Sequence, residues 1–372
     1  MSLSRTTSIW RKLFSFVIGL LVPSAMALIP NASAQVLLPV DVEGRFGYIN
    51  LDGRLVIDPQ FDFAGSFANG LAPVGKKFGT EYKYGYIDEK GAVTIPIRFQ
   101  NALGFSEGRA VVKFNDKYGF IDTTGRFIAD PVFDKAFDFS DGLARISQLV
   151  ATKGQHLYGF VDKDGKLVIK PQYVFAMDFK EGLAGFAVQD KSRLKMGFID
   201  KRNRVVIKPT FSVVGSFSEG RAAVAQHARA YLFEGAVLID EEASVGKKVS
   251  YIDKRGSIVI AGKFESAADF SEGLARVELD GRCRYIDRIG KVVISSDFPE
   301  RADLGNFSEG MASVNAANGA KFIDKTGKTV IKTDFAFADD FLGGAARVSR
   351  VKADGSIRYG YIDHTGRLIW SP

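Results

Sequence analysis

Short runs of alternating apolar and polar residues fill this chain, cut at regular intervals by glycine-bearing turns. Residues 274–294, "LARVELDGRCRYIDRIGKVVI", are representative. The period-2 alternation predicts three β-strands of roughly five residues joined by two turns. The same pattern recurs nine times. Its "YID"-type core places an aromatic at Tyr48, Tyr86, Phe120, Phe160, Phe198, Tyr251, Tyr285, Phe322 and Tyr361, at intervals of 34 to 40 residues with one of 53. The long interval marks an insertion at 225–248, "AQHARAYLFEGAVLIDEEASVGKK".

Each core runs into a turn such as Asp88-Glu89-Lys90-Gly91 or Asp324-Lys325-Thr326-Gly327. An Asp at the first position can accept a backbone N–H two residues on, and a Gly at the fourth can take positive φ. The pattern predicts a type I turn with a G1 bulge. Asn50 and Asn203 are the exceptions at these two positions, and both suit the same roles. Asp162-Lys163-Asp164-Gly165 has a passing likeness to a calcium loop. Calcium needs six or more converging oxygens, so capping is the expected role.

After each turn comes a strand such as Leu55-Val56-Ile57, then a connector such as "FQNALGFSEG" or "FESAADFSEG". An aromatic opens all eight connectors, at Phe61, Phe99, Phe133, Tyr173, Phe211, Phe264, Phe298 and Phe335, and a second Phe usually follows six residues later. Apolar residues at i, i+3 and i+6 predict one helical or 3₁₀ turn, closed by a left-handed glycine. A lone three-stranded sheet of this size buries too little apolar surface to offset its ordering entropy. Neighbouring units are therefore expected to stack on the connector phenylalanines. The expected fold is all-β: nine three-stranded antiparallel meanders stacked as an open, twisted β-solenoid or superhelix. A closed β-propeller is the alternative, especially if part of the connector adds a fourth strand.

Composition changes this picture at the N-terminus. Arg5, Arg11 and Lys12 precede the apolar run "LFSFVIGLLVPSAMALIP", and Ala32-Ser33-Ala34 supplies small residues ahead of Gln35. Residues 1–34 read as a signal peptide cleaved between Ala34 and Gln35, leaving residues 35–372 as one repeat domain that is periplasmic or secreted. Pro23 and Pro30 shorten the apolar run below the roughly 20 residues of a membrane span. Removing the leader lowers the net charge from +7 to +4, with 47 basic against 43 acidic residues. Those charges are interspersed, so neither nucleic acid nor membrane insertion is expected. The single cysteine, Cys283, excludes an internal disulfide and is expected to act as a small buried hydrophobe.

The motifs "YGYIDEKGAVTIP", "YGFIDTTGRFI", "YGFVDKDGKLVIKPQY" and "YGYIDHTGRLI", with the "FSEGLA"-type connectors, resemble the WG-repeat (KWG-repeat) family of bacterial proteins over residues 37–370. The eponymous Trp is replaced by Phe46, Tyr84, Tyr118, Tyr158, Met196 and Tyr359, and three copies lose the Gly as well, at Ser250, Arg284 and Lys321. The resemblance implies a binding or scaffolding role, often at the cell envelope, and brings no catalytic residue with it.

No catalytic, cofactor-binding or metal-binding residue is expected. His156, His227 and His364 share no ligand spacing, and no P-loop is present. The acidic cluster Asp240-Glu241-Glu242 reads as a solvated hairpin tip. The expected function is an exported, non-catalytic scaffold that binds a protein or a cell-envelope glycan. The alternatives are a repeat-built glycan-active enzyme or a purely structural envelope protein.

Overall fold

A computed structural model describes residues 35–190, 193–226, 229–233, 236–240, 248–295, 298 and 303–371. Residues 1–34, including Ala34 of the expected cleavage site, lie outside them, while Gln35 opens the described chain. The repeat domain is a nine-bladed β-propeller, which corrects the expectation of an open solenoid of three-stranded units. Among the described residues eight blades are four-stranded and one is three-stranded, and within each blade strand order follows the chain. The first blade comprises Leu38–Val42, Arg45–Ile49 and Leu55–Phe61. The second comprises Phe63–Ala64, Leu71–Phe78, Glu81–Asp88 and Val93–Phe99, a plan repeated to the ninth.

The extra strand comes from the connector, which is not helical. In most copies it contributes two residues, such as Phe63–Ala64, followed by a two-residue hairpin turn. Ser106 and Arg109 exchange N–H···O bonds of 2.7 and 3.0 Å around Glu107 (φ 53°) and Gly108 (φ 81°). Positive φ at both central residues is the type I′ geometry that matches strand twist. The "SEG" glycine is thus a hairpin residue rather than a helix cap.

The Asp-x-x-Gly turns form as expected. Gly91 N–H donates to Asp88 O at 2.9 Å with φ 83°, and Asp88 Oδ1 accepts from the N–H groups of Lys90 and Ala92, each at 2.9 Å. Asn50 Oδ1 accepts from Asp52 and Arg54 in the same way, and Asn203 takes φ 62°.

The glycine of "YG" has a steric cause. The strand after the turn bulges over it: Tyr84 pairs with Phe99 and Tyr86 with Ile95, so three residues face Gly85 alone. A Cβ on Gly85 would lie 2.5 Å from Ile95 O and 2.8 Å from Ile97 N. In the sixth blade the small residue has crossed the ladder. Ser250 stands at the glycine position, and Gly262 stands where the other copies place Pro59, Pro131, Pro171 or Pro209. A Cβ on Gly262 would meet Ser250 Oγ at 2.7 Å.

Blades are joined by aromatic pairs. Each of the first eight "YID" aromatics meets the second connector Phe of the next blade, as in Tyr48–Phe67 (4.9 Å), Phe160–Phe179 (4.8 Å), Tyr251–Phe270 (4.9 Å) and Phe322–Phe341 (4.8 Å). These tilted and edge-on contacts lie within the favoured range of aromatic pairs. Where the core aromatic is Tyr, its hydroxyl donates to the next connector: Tyr48 to Gly65 O, Tyr86 to Leu103 O, Tyr251 to Ala268 O and Tyr285 to Gly305 O, at 2.7 to 2.8 Å.

The insertion is a β-hairpin, Arg229–Phe233 with Ala236–Asp240, that leaves the sixth blade between two strands. Those strands, Ala222–Ala225 and Val249–Ile252, still pair with each other. The hairpin's first strand runs beside Arg193–Asp200 of the fifth blade.

Candidate functional site

The residues that recur in most copies are engaged by neighbouring blades. The "SEG" serine donates to the connector Phe carbonyl of the next blade, as Ser106 does to Phe139 O (2.7 Å) and Ser271 to Phe307 O (2.6 Å). The "SEG" acid reaches the same neighbour. Glu107 Oε2 accepts from Gly142 N–H (3.0 Å) and pairs with Lys163 (2.9 Å). Glu181 accepts from Gly220 N–H and pairs with Lys254, Glu219 from Gly273 with Arg288, Glu272 from Gly310 with Lys325, and Glu309 from Gly343 with His364. Asp141 does likewise with Gly182 and Lys201. The partner side chain in each case is the second residue of the Asp-x-x-Gly turn. Where the "SEG" acid is replaced by Asn69, the next blade carries Thr123 at that place. Where it is replaced by Gly343, the first blade carries Leu51. Sequence reasoning missed this pairing, although its signal is present as an acid in one copy matched to a base one blade later.

A second group of carboxylates is part-buried, just ahead of the connector phenylalanines. Burial, reinforced by the nearby Asp178 charge, raises the Asp138 carboxyl to about 6. Its Oδ1 is buried without a hydrogen-bond partner among the described residues. Burial also raises Asp269 to about 6, against the opposing pull of Lys180. Asp178 is answered by the buried Arg145, whose Nε donates to it at 2.9 Å while Nη1 donates to Ala176 O at 2.6 Å. Asp340 accepts from Ser313 Oγ and Asn306 N–H at 2.8 and 2.9 Å.

The histidines do not converge. His156 lies 3.2 Å from Asp134, His364 stacks on Phe341 at 4.4 Å, and His227 lies outside the described residues, as do Glu241 and Glu242. Among the described residues no group of His, Cys, Asp and Glu gathers with metal-ligating geometry. Cys283 is half-buried against the Tyr285–Leu304 core, and burial pushes its thiol up.

One joint departs from the rest. No connector among the described residues crosses from the ninth blade to the first. Val36, Leu38, Val40 and Ile49 instead pack against Ala345, Tyr361, Ile369 and Trp370. The Tyr361 hydroxyl donates directly to Pro39 O at 3.0 Å. Among the described residues the first blade has three strands, and Leu38–Val42 pairs with Arg45–Ile49. Beside it opens a cleft of about 470 Å³, lined by Pro39, Asp41, Glu43, Arg347, Arg358 and Tyr359 among others. A hollow of about 280 Å³ lies at the root of the insertion, between Phe211, Lys248 and Gly262.

The fold and its repeated joints define a propeller of tandem β-units. The "WG containing repeat" model matches eight times, over residues 46–77, 84–118, 118–148, 158–191, 196–227, 250–283, 284–318 and 322–350. The chain belongs to the WG-repeat family. No curated protein matches the sequence. Among solved structures it is similar to a eukaryotic initiation factor (12% identity, 90% of this chain and 84% of that chain, TM-score 0.48). BamB from Moraxella catarrhalis (10%, 88% and 98%, 0.43) and AztD from Citrobacter koseri (10%, 90% and 93%, 0.36) are also similar. Among the described residues no helix is long and apolar enough to cross a membrane.

Proposed function

We propose that this protein is an exported, non-catalytic scaffold that binds a protein or a cell-envelope glycan through its surface. The observation that carries the reading is where the repeated side chains go. Aromatics, serines, acids and turn cations face adjacent blades, so the repeat builds a rigid ring and leaves recognition to residues that vary from copy to copy. Export rests on the sequence features of residues 1–34.

Two assays separate the readings. The purified protein is incubated with peptidoglycan and envelope polysaccharide, and separately used to capture partners from native envelope extract. Co-sedimentation without new reducing ends, or saturable capture of a defined protein, is the expected result. New reducing ends would overturn the non-catalytic assignment.

A further inference from the structure

We infer that the second blade carries a binding site for an acidic glycan, a linear chain of sugar units bearing carboxylates, built on Phe63, Lys77, Tyr82 and Tyr84. This assignment rests on the scaffold reading and names the chemistry of its glycan partner.

The site grows from one cross-strand row. Phe63, Gly75 and Tyr84 stand opposite one another on the first three strands of the blade, and Lys77 stands opposite Tyr82 two residues further along. Side chains alternate along a strand, so all of these point to one face of the sheet. The glycine in the middle of the row has a steric role. A Cβ on Gly75 would lie 2.9 Å from Tyr84 Cε1 and 3.1 Å from Phe63 Cβ, so only a hydrogen there lets the Tyr84 ring lie across the strand. Seated in this way, Tyr84 meets Phe63 edge-on at 5.5 Å and continues to Tyr82 at 6.4 Å, with the two tyrosine planes within 25° of each other. Tyr84 also packs against the core that the second blade shares with the third. Tyr82 and Phe63 remain 40% and 39% exposed. The result is a short aromatic shelf with a wall at one end.

The fold does not require this row. The same positions hold Asn101, Lys113 and Tyr118 in the third blade, and Ser266, Glu278 and Cys283 in the seventh. The ninth blade has Phe337 and Tyr359, but places Ser349 between them and Ile357 where Tyr82 stands. Side chains that vary at a fixed structural position are where a repeat protein sets its specificity.

Charge decides which ligand the shelf suits. The nearby acids are already engaged, Asp62 by Arg45 at 2.7 Å and Glu81 by Lys83 at 2.9 Å. Among the described residues Lys77 has no carboxylate partner, and its ammonium lies 5.9 Å from the Tyr82 ring. Lys76, over Phe61 at 5.8 Å, adds a second uncompensated charge. A sugar unit presents an apolar face of C–H groups that lies flat on an aromatic ring, and its hydroxyls stay in water. Exposed tyrosines, with an apolar body and a polar tip, suit such a boundary. An ammonium at the rim favours a sugar that carries a carboxylate. The aliphatic side chains of a peptide gain nothing from flat rings, and a nucleic-acid strand calls for a line of cations along its backbone.

The probes are hexamers of β-1,4-mannuronate and of α-1,4-galacturonate, each also as its methyl ester, which keeps the rings and removes the charge. They are titrated by calorimetry into the purified protein at low salt. Saturable binding of at least one uronate is expected, with its ester weaker by about tenfold or more. Tyr82→Ala should weaken binding by a similar factor, and Lys77→Gln should bring acid and ester to equal affinity. Both residues are exposed, so neither variant should shift the thermal midpoint. Failure of both uronates to bind saturably would overturn the assignment. So would an ester that binds as tightly as its acid, indifference to Tyr82→Ala, or a thymidine oligonucleotide preferred over both uronates. A protein captured from envelope extract and lost with Tyr82→Ala would make a protein the occupant and overturn it equally. Envelope-glycan binding that survives Tyr82→Ala counts against the shelf alone, whereas uronate binding without capture of any envelope glycan or protein counts against the scaffold reading alone.

Discussion

Glutamate at positive φ is an uncommon backbone choice, yet Glu107, Glu181, Glu219, Glu272 and Glu309 all adopt φ of 51° to 53°. The left-handed region costs a side-chain-bearing residue roughly 1–2 kcal/mol. The carboxylate offsets this cost by accepting a backbone N–H from the next blade and pairing with its turn cation, since a hydrogen bond to a charged group contributes about 1.5–3 kcal/mol. Glu219→Ala keeps the strain and loses the bond, so it should destabilise by about 1–3 kcal/mol in urea unfolding. Glu219→Gly loses the bond and the strain together and should cost clearly less; the reverse order would contradict this account. Asp138 and Asp269 both carry pH dependence, and Asp138, whose Oδ1 has no hydrogen-bond partner among the described residues, is the simpler to test. Its carboxyl keeps its proton up to about 6 in the folded protein, against 3.8 ordinarily. Its stabilising contribution is therefore full below the unfolded value and fades as pH rises through about 6. Asp138→Asn should raise the thermal midpoint at pH 7, by up to roughly 3 kcal/mol of stability, and change little at pH 4. An equal gain at both pH values would refute it.

The strands and Asp-x-x-Gly turns were legible because period-2 alternation and turn chemistry act within a few residues. Asn50 and Asn203, the two departures, kept their predicted roles. The connectors were misread for a physical reason. Phe99, Ala102 and Phe105 fall at helical spacing, and a two-residue strand is too short to show alternation. What excludes a helix is the positive φ at Glu107 and Gly108, which the letters "EG" signal only weakly. The seam was not legible, because it depends on which two blades the closed ring brings together. The insertion behaved as an element of its own: the strands flanking it pair without it. Replacing residues 227–247 by a two-residue Asn-Gly turn should leave the thermal midpoint nearly unchanged, and loss of cooperative unfolding in that variant would show the hairpin to be integral.

At the scale of the whole molecule, neighbour dependence was readable from the size of each unit, but closure was not. Both ends of the chain carry a complete meander, so no shared strand advertises a ring. The ring closes instead through side chains, with Val36, Leu38 and Val40 against Ile369, Trp370 and Tyr361. Spin labels on Glu43 and Lys352, both lining the cleft, test this most directly by electron–electron distance measurement. A closed propeller predicts one narrow population at about a single sheet spacing, near 10 Å between backbones and lengthened by the label arms. An open stack of nine sheets would place the labels roughly 80 Å apart, and a population at that distance would contradict the ring.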